Sequence, residues 1–202
     1  MNNRVKKGEQ TRQHIIERSA PIFNTRGFSG TSIQEILKET GLEKGGLYNH
    51  FKSKDELALE AFNHAVALLS VAHREAQQGK HGVFERLEAI FDVVMRSATD
   101  QILPGGCPIM NVSVEADDTH PVLLERAREA ALELQQFMGR VLASGIRKGE
   151  LKATLDPEGT ARVMFALFEG GILLTRLHGN VRYLHDARQH MLGLLQGHLQ
   201  ER

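Results

Sequence analysis

The stretch from Gly41 to Leu57, GLEKGGLYNHFKSKDEL, constrains this chain more than any other. Gly41 supplies a permissive backbone that can end a helix and turn. Ahead of it, Thr31 to Glu39 reads as a helix. Thr31 or Ser32 can cap that helix, and Gln34 or Glu35 stands in position to complete a capping box. Ile33, Ile36 and Leu37 keep helical spacing and form its buried face. After the turn the chain restarts at Leu42 and Glu43, with Leu47 and Phe51 facing back to the core. Two short helices across a glycine turn make a helix-turn-helix pattern, whose second helix enters the major groove of DNA.

That second helix carries Gly45 and Gly46, and each glycine inside a helix costs up to ~1 kcal/mol relative to alanine. A short helix tolerates this where closeness is useful, because a bare backbone can approach a groove wall or a phosphate. The plainer alternative is a frayed loop. Lys44, Tyr48, His50, Lys52 and Lys54 are all phosphate-competent donors in the same short span. A merely solvated basic run would not interleave Leu47, Tyr48 and Phe51 at this spacing.

These residues resemble the DNA-binding domain of the TetR family of transcriptional regulators. The resemblance rests on Phe23, Gly27 and Phe28, then on Thr31, Ser32 and Ile36. It continues through Gly41, Gly45, Leu47, Tyr48, His50, Phe51, Lys54 and Leu57, within about the first sixty residues. It implies that Tyr48 touches a base or its methyl group. Asn49, His50 and Lys54 would hold or approach phosphates, and Lys44 would reach into the major groove. Thr31 or Ser32 would meet a phosphate at a helix start. Many relatives carry Thr or Ser where this chain has Gly46, so one hydroxyl contact is absent here. Gly45 and Gly46 complete the expected contact surface.

Charge supports a DNA-facing head. The chain holds 25 basic and 25 acidic residues, yet residues 1–54 hold ten Lys/Arg against five Asp/Glu, and the remainder holds fifteen against twenty. A basic head on an acidic body draws DNA to one end only. Arg4, Lys6 and Lys7 form a basic arm that either follows the DNA backbone or is a plain polar terminus.

The expected fold is all-α. A three-helix helix-turn-helix domain over 1–54 precedes a larger helical effector-binding and dimerisation domain over 55–202. The first helix is expected from about Glu9 to Arg26, mildly kinked at Pro21. Ser53 caps a long helix with Glu56 in capping-box position, running to about Gln78. Further helices are expected at about 83–101, 108–116, 121–148, 157–178 and 182–200, with Asp117 and Asp118 helping to cap the helix near Pro121. No apolar run reaches membrane-span length and no secretion signal opens the chain, so a cytoplasmic protein is expected.

The last two of these helices are apolar over an arc wider than the ~100° needed to pack on one's own domain. Phe165, Phe168 and Ile172 on one, with Met191 and Leu195 on the other, are the expected homodimer interface; a fully internal helix pair is the alternative. TetR-like proteins pair these helices with their copies in a four-helix bundle. A two-fold dimer would hold two reading helices about 34 Å apart, which calls for a near-palindromic operator in double-stranded DNA.

The body is expected to bind a small, largely apolar effector. Candidate pocket residues are Phe91, Met95, Cys107, Met110, Val114, Phe137, Met138 and Phe168, although the same residues at helical spacing also serve a plain core. Pro108 suits the first position of a helix, which makes Cys107 its capping residue. The helix dipole would then lower the thiol pKa and raise its reactivity, so a thiol-based sensor of electrophiles or oxidants is an alternative reading. Asp186 with His190, and Glu115 with Asp117, Asp118 and His120, lack the tight His/Cys set of a zinc site, so neither a metal nor a cofactor is expected. Neither a nucleophile elbow nor a phosphate loop is present, which argues against an enzyme. A helical interaction scaffold would not need the basic, glycine-bearing reading helix.

Overall fold

The computed structural model describes residues 2–116 and 120–199, with side chains from residue 7 onward. Nine helices run through them: α1 (Asn2–Gly30), α2 (Ile33–Thr40), α3 (Lys44–Tyr48), α4 (Lys54–Ala76), α5 (Val83–Ala98), α6 (Pro108–Ala116), α7 (Pro121–Arg147), α8 (Pro157–His178) and α9 (Arg182–Gln196). The all-α expectation holds. Among the described residues, no helix is long and apolar enough to cross a membrane.

Local chemistry explains most of the boundaries. Ser32 caps α2: its hydroxyl accepts the Glu35 N–H, and the Glu35 carboxylate accepts the Ser32 N–H in return. Gly41 ends α2 in the left-handed region at φ 69°, and its N–H bonds the Leu37 carbonyl. The Ser53 hydroxyl accepts the Glu56 N–H at the start of α4, and Glu56 accepts from Lys52. Asp156 caps α8, with Pro157 in its first turn.

Helices α1 to α3 close around Ile15, Ile16, Ile36, Leu47 and Phe51, and this core also takes Leu57 from α4. Further along α4, Ala58, Phe62 and Val66 belong to the main core of the body. Ala61 and Ala65 lie between these faces and pack with Ala20 of α1 and Leu103. One helix therefore serves both cores, and the head is continuous with the body through its packing.

Several expectations are corrected. Helix α1 begins at Asn2, not near Glu9. Its break falls at Gly27 (φ 76°, ψ 173°), while Pro21 sits inside the helix without interrupting it. A positive φ is open to glycine at no steric cost, so the chain bends there. Helix α5 stops at Ala98, and Asp100 follows with a positive φ. Helix α9 ends at Gln196, after which Leu199 pairs antiparallel with Leu151 in an isolated bridge. His120 caps α7 through Nδ1, which accepts the Leu123 N–H. Asp117 and Asp118 lie outside the described residues.

Candidate functional site

The surface of α3 is set by what holds its inner side. Leu47 and Phe51 are fully buried against α1, α2 and α4. The Arg12 guanidinium lies 4.7 Å over the Phe51 ring, a cation–π contact that further seats the end of the motif. With that side fixed, Lys44, Gly45, Tyr48 and Asn49 face outward, and Tyr48 is 42% exposed despite its large apolar ring. His50 is half-buried at the edge of this face. Residues 44–48 form a helix and not a frayed loop. A methyl group at Gly45 would meet nothing among the described residues within 4 Å, and one at Gly46 would make only ordinary contact with Leu42. Internal packing therefore does not require either glycine.

Two expected contact residues are tied up within the chain. Thr31 is 1% exposed and donates to the Gly27 carbonyl at 2.6 Å, so it cannot meet a phosphate. Its hydroxyl instead closes the bend at Gly27. Ser32 is exposed, but its hydroxyl is engaged by Glu35 in the capping box. Glu35 also pairs with Arg26. Lys54 is half-buried, with its ammonium 4.2 Å over the Phe28 ring, which directs it along the junction of head and body.

That junction is a dense polar seam. The Asn24 side-chain amide donates to the Pro104 and Gly106 carbonyls, and the Asn111 amide donates to the Asn24 backbone oxygen and Oδ1. Glu115, near the end of α6, accepts the N–H groups of Phe28 and Ser29, both at 2.7 Å. A side chain at Gly27 would collide with this carboxylate. His120 meets Phe28 edge-on at 4.9 Å between ring centres.

Inside the body, two cavities share a wall. The larger, about 480 Å³, lies between α4 and α7 and is lined by apolar side chains that include Val66, Leu69, Ile109, Leu134 and Phe137. The smaller, about 20 Å³, lies deeper and includes Cys107, Phe165, Phe168 and Glu169. Leu69, His73 and Leu134 line both.

Of the expected pocket residues, Phe137 lines the larger cavity, and Cys107 and Phe168 line the smaller. Phe91 and Met138 are buried in the main core, and Met95 and Met110 pack against it. Val114 is 79% exposed and faces away from the interior. His73 and Glu169 escaped the sequence reading, although each left a signal. His73 follows Leu69 by one helical step on the buried face of α4, and Glu169 interrupts an apolar run in α8.

The Cys107 thiol behaves opposite to expectation. It does cap α6: the Cys107 carbonyl accepts the Asn111 N–H, and backbone donors at Met110 and Ile109 favour the thiolate. Yet burial, together with the Glu169 carboxylate that accepts from the thiol at 3.1 Å, pushes its pKa well above the ordinary thiol value. Desolvation of a fully enclosed anion outweighs a helix terminus. Burial likewise raises Glu169 to about 7 and lowers His73 to about 4. Among the described residues, the His73 Nδ1 and Glu169 Oε2 atoms are enclosed without a hydrogen-bond partner.

The expected dimer residues also face inward. Phe168, Ile172, Met191 and Leu195 are buried by the chain's own core, and Phe165 packs against it. The apolar arc of α8 is two-sided: its other side leaves Leu173, Leu174 and Leu177 exposed, and α9 leaves Leu194 exposed.

The fold and its outward reading helix define a helix-turn-helix DNA-binding regulator. Residues 15–61 match the family model of bacterial regulatory proteins of the tetR family, and residues 83–191 match that of the tetracyclin repressor-like C-terminal domain. The chain belongs to the TetR family, whose members are transcriptional regulators and not enzymes. The HTH-type transcriptional repressor DhaR of Mycobacterium sp. (strain GP1) is 26% identical over 173 residues, which cover 84% of each protein. A TetR-family regulator from Cytophaga hutchinsonii superposes with a TM-score of 0.91 at 32% identity, covering 97% of this chain and 98% of that one. One from Chloroflexus aurantiacus J-10-FL does so at 34% identity and the same TM-score, covering 98% and 100%.

Proposed function

We propose that this protein is a ligand-responsive repressor. As a homodimer it binds a near-palindromic operator, and a small molecule in the body releases it. Residues 1–54 act as the reading head and 55–202 as the sensing and pairing body. The outward face of α3, with Tyr48 exposed beside Lys44 and Asn49 on a helix pinned by Leu47 and Phe51, carries this reading. Tyr48 reads a base or its methyl group. Lys44 reaches into the major groove, Asn49 and His50 hold phosphates, Lys54 lies close to the backbone from its place over Phe28, and Gly45 and Gly46 allow close approach. The repressor name of DhaR supports the direction of control.

The route from ligand to DNA runs through α6. Cys107 precedes this nine-residue helix at the inner cavity, and Glu115 near its other end holds the Phe28 and Ser29 N–H groups of the head. A ligand that displaces α6 pulls on that latch and favours a dimer whose heads are wrongly spaced. A coupling of ~1–3 kcal/mol between the sites weakens DNA binding by roughly 5- to 150-fold. The enclosed thiol supports a structural role for Cys107 over a reactive one.

The test is selection of bound fragments from random DNA, followed by binding of the selected site to the Tyr48→Ala/His50→Ala variant. Specific binding is expected to disappear while the fold remains. Specific binding that survives both changes overturns the contact assignment.

A further inference from the structure

The larger body cavity has a polar character that its apolar walls conceal. Its mouth carries Arg74 from α4 and Arg140 from α7, both exposed, and Arg86 from α5. Among the described residues, neither Arg74 nor Arg140 has an ion-pair partner, while Arg86 donates through Nε to Gln77. The acidic residue on the same rim, Glu133, is engaged by Arg126 at 3.3 Å. The rim is therefore cationic, with two guanidinium groups uncommitted. At the inner end stands His73, 6% exposed, whose Nδ1 has no hydrogen-bond partner among the described residues. Between rim and floor the walls are apolar, and Phe137 leans on the His73 ring with 5.7 Å between ring centres.

We propose that this cavity takes an amphipathic organic anion, with its carboxylate or sulfonate on Arg74 and Arg140 and its apolar body running inward to His73. This rests on the reading of the body as the effector-binding domain, and it names the chemistry that domain accepts. A guanidinium fork matches a planar carboxylate or a sulfonate face and forms strong charge-assisted hydrogen bonds. The cavity volume of about 480 Å³ falls within the range of small-molecule sites. An apolar compound without an anion would leave the arginines unused. A polar compound would lose its hydration against Val66, Leu69, Leu134 and Phe137. His73 stays neutral because burial holds its pKa near 4, so it offers the ligand one hydrogen bond without adding a second buried charge. Ile109 of α6 also lines the cavity, which puts the ligand against the helix that carries Glu115.

The experiment uses the full-length protein and two fluorescent probes of similar body, 8-anilinonaphthalene-1-sulfonate and the uncharged N-phenyl-1-naphthylamine. Decanoate and decanol serve as competitors, so that acyl and aryl anions are compared. Because both arginines are exposed, Arg74→Gln/Arg140→Gln is expected to fold normally. It should bind the sulfonate at least about tenfold more weakly, with the uncharged amine changed by less than about threefold. Decanoate should displace the sulfonate from the unaltered protein better than decanol does. Equal responses of the two probes to the double substitution, or no response of either, overturn the proposal. Release of the selected operator is measured in parallel. If the substitution selectively removes sulfonate binding but the sulfonate never weakens DNA binding, the anion chemistry stands and the effector reading fails. If the uncharged amine releases DNA from both proteins while the sulfonate releases it from neither, the effector reading stands and the anion proposal is overturned.

Discussion

The Glu115 carboxylate accepts the Phe28 N–H at 2.7 Å and so ties the body's helix α6 to the bend at Gly27 near the end of α1. The same carboxylate takes the Ser29 N–H, and Gly27, in its positive-φ conformation, leaves the space it occupies. Hydrogen bonds to a charged acceptor contribute more than neutral ones, and losing this one leaves the part-buried Phe28 N–H unsatisfied. Glu115→Ala is expected to lower the stability of the native state by about 2 kcal/mol in urea unfolding. It is also expected to shrink the ratio of DNA affinities measured without and with ligand. Gly27→Ala should act in the same direction, because it adds backbone strain and displaces the carboxylate. A Glu115→Ala protein with an unchanged affinity ratio would remove this latch from the coupling.

Cys107 should resist alkylation. Its thiol is enclosed and donates to Glu169, and the carboxylate and the burial both oppose the thiolate. At pH 7.5 the native protein is expected to react with iodoacetamide far more slowly than the unfolded chain, as followed by mass spectrometry. Glu169→Gln removes the negative neighbour and should raise the rate. Native labelling as fast as that of the unfolded chain would restore the thiol-sensor reading.

Stability should depend on pH through two opposing groups. His73 is lowered from 6.5 to about 4 in the folded state. Between these values the unfolded chain binds the proton that the folded chain refuses, so its contribution is present above pH 6.5 and is lost as pH falls. Glu169 is raised from 4.5 to about 7. Between these values the folded chain keeps a proton that the unfolded chain has released, so stability falls as pH rises. Each effect amounts to roughly 3 kcal/mol, and the two largely offset each other where their windows overlap. Urea unfolding across pH 4 to 7.5 should therefore show stability rising with pH in Glu169→Gln and falling with pH in His73→Leu. A flat profile in both variants would contradict the burial of these groups.

The homodimer should form on the outer side of α8, where Leu177 is 70% exposed and Leu173 and Leu174 accompany it. Leu173→Arg/Leu177→Arg is expected to shift the protein to monomer in sedimentation experiments and to abolish operator binding, with helical content preserved. Phe168→Ala should instead destabilise the fold by about 3–5 kcal/mol, because Phe168 fills the core against Phe91. A dimer that survives both arginines would place the interface elsewhere.

The sequence by itself determined the helix-turn-helix, its glycine turn and its capping box, and it placed most later helix boundaries within a few residues. These features depend on near neighbours. A cap satisfies donors three residues away, as Ser32 and Glu35 do, and Gly41 turns the chain through its own backbone freedom. The tertiary structure decided what distant residues impose. Thr31 turns inward because Gly27 bends the chain and presents a carbonyl. The cysteine thiol is held neutral by a carboxylate from another helix, against the helix terminus that the local reading saw. Phe168 and Leu177 are equally apolar in the sequence, and only the packing of α9 and the body core decides that one is buried and the other exposed. His73 became legible as a site residue only when α4 and α7 enclosed a cavity around it. Burial and the pKa values it shifts are set by neighbours far along the chain, which local periodicity cannot encode.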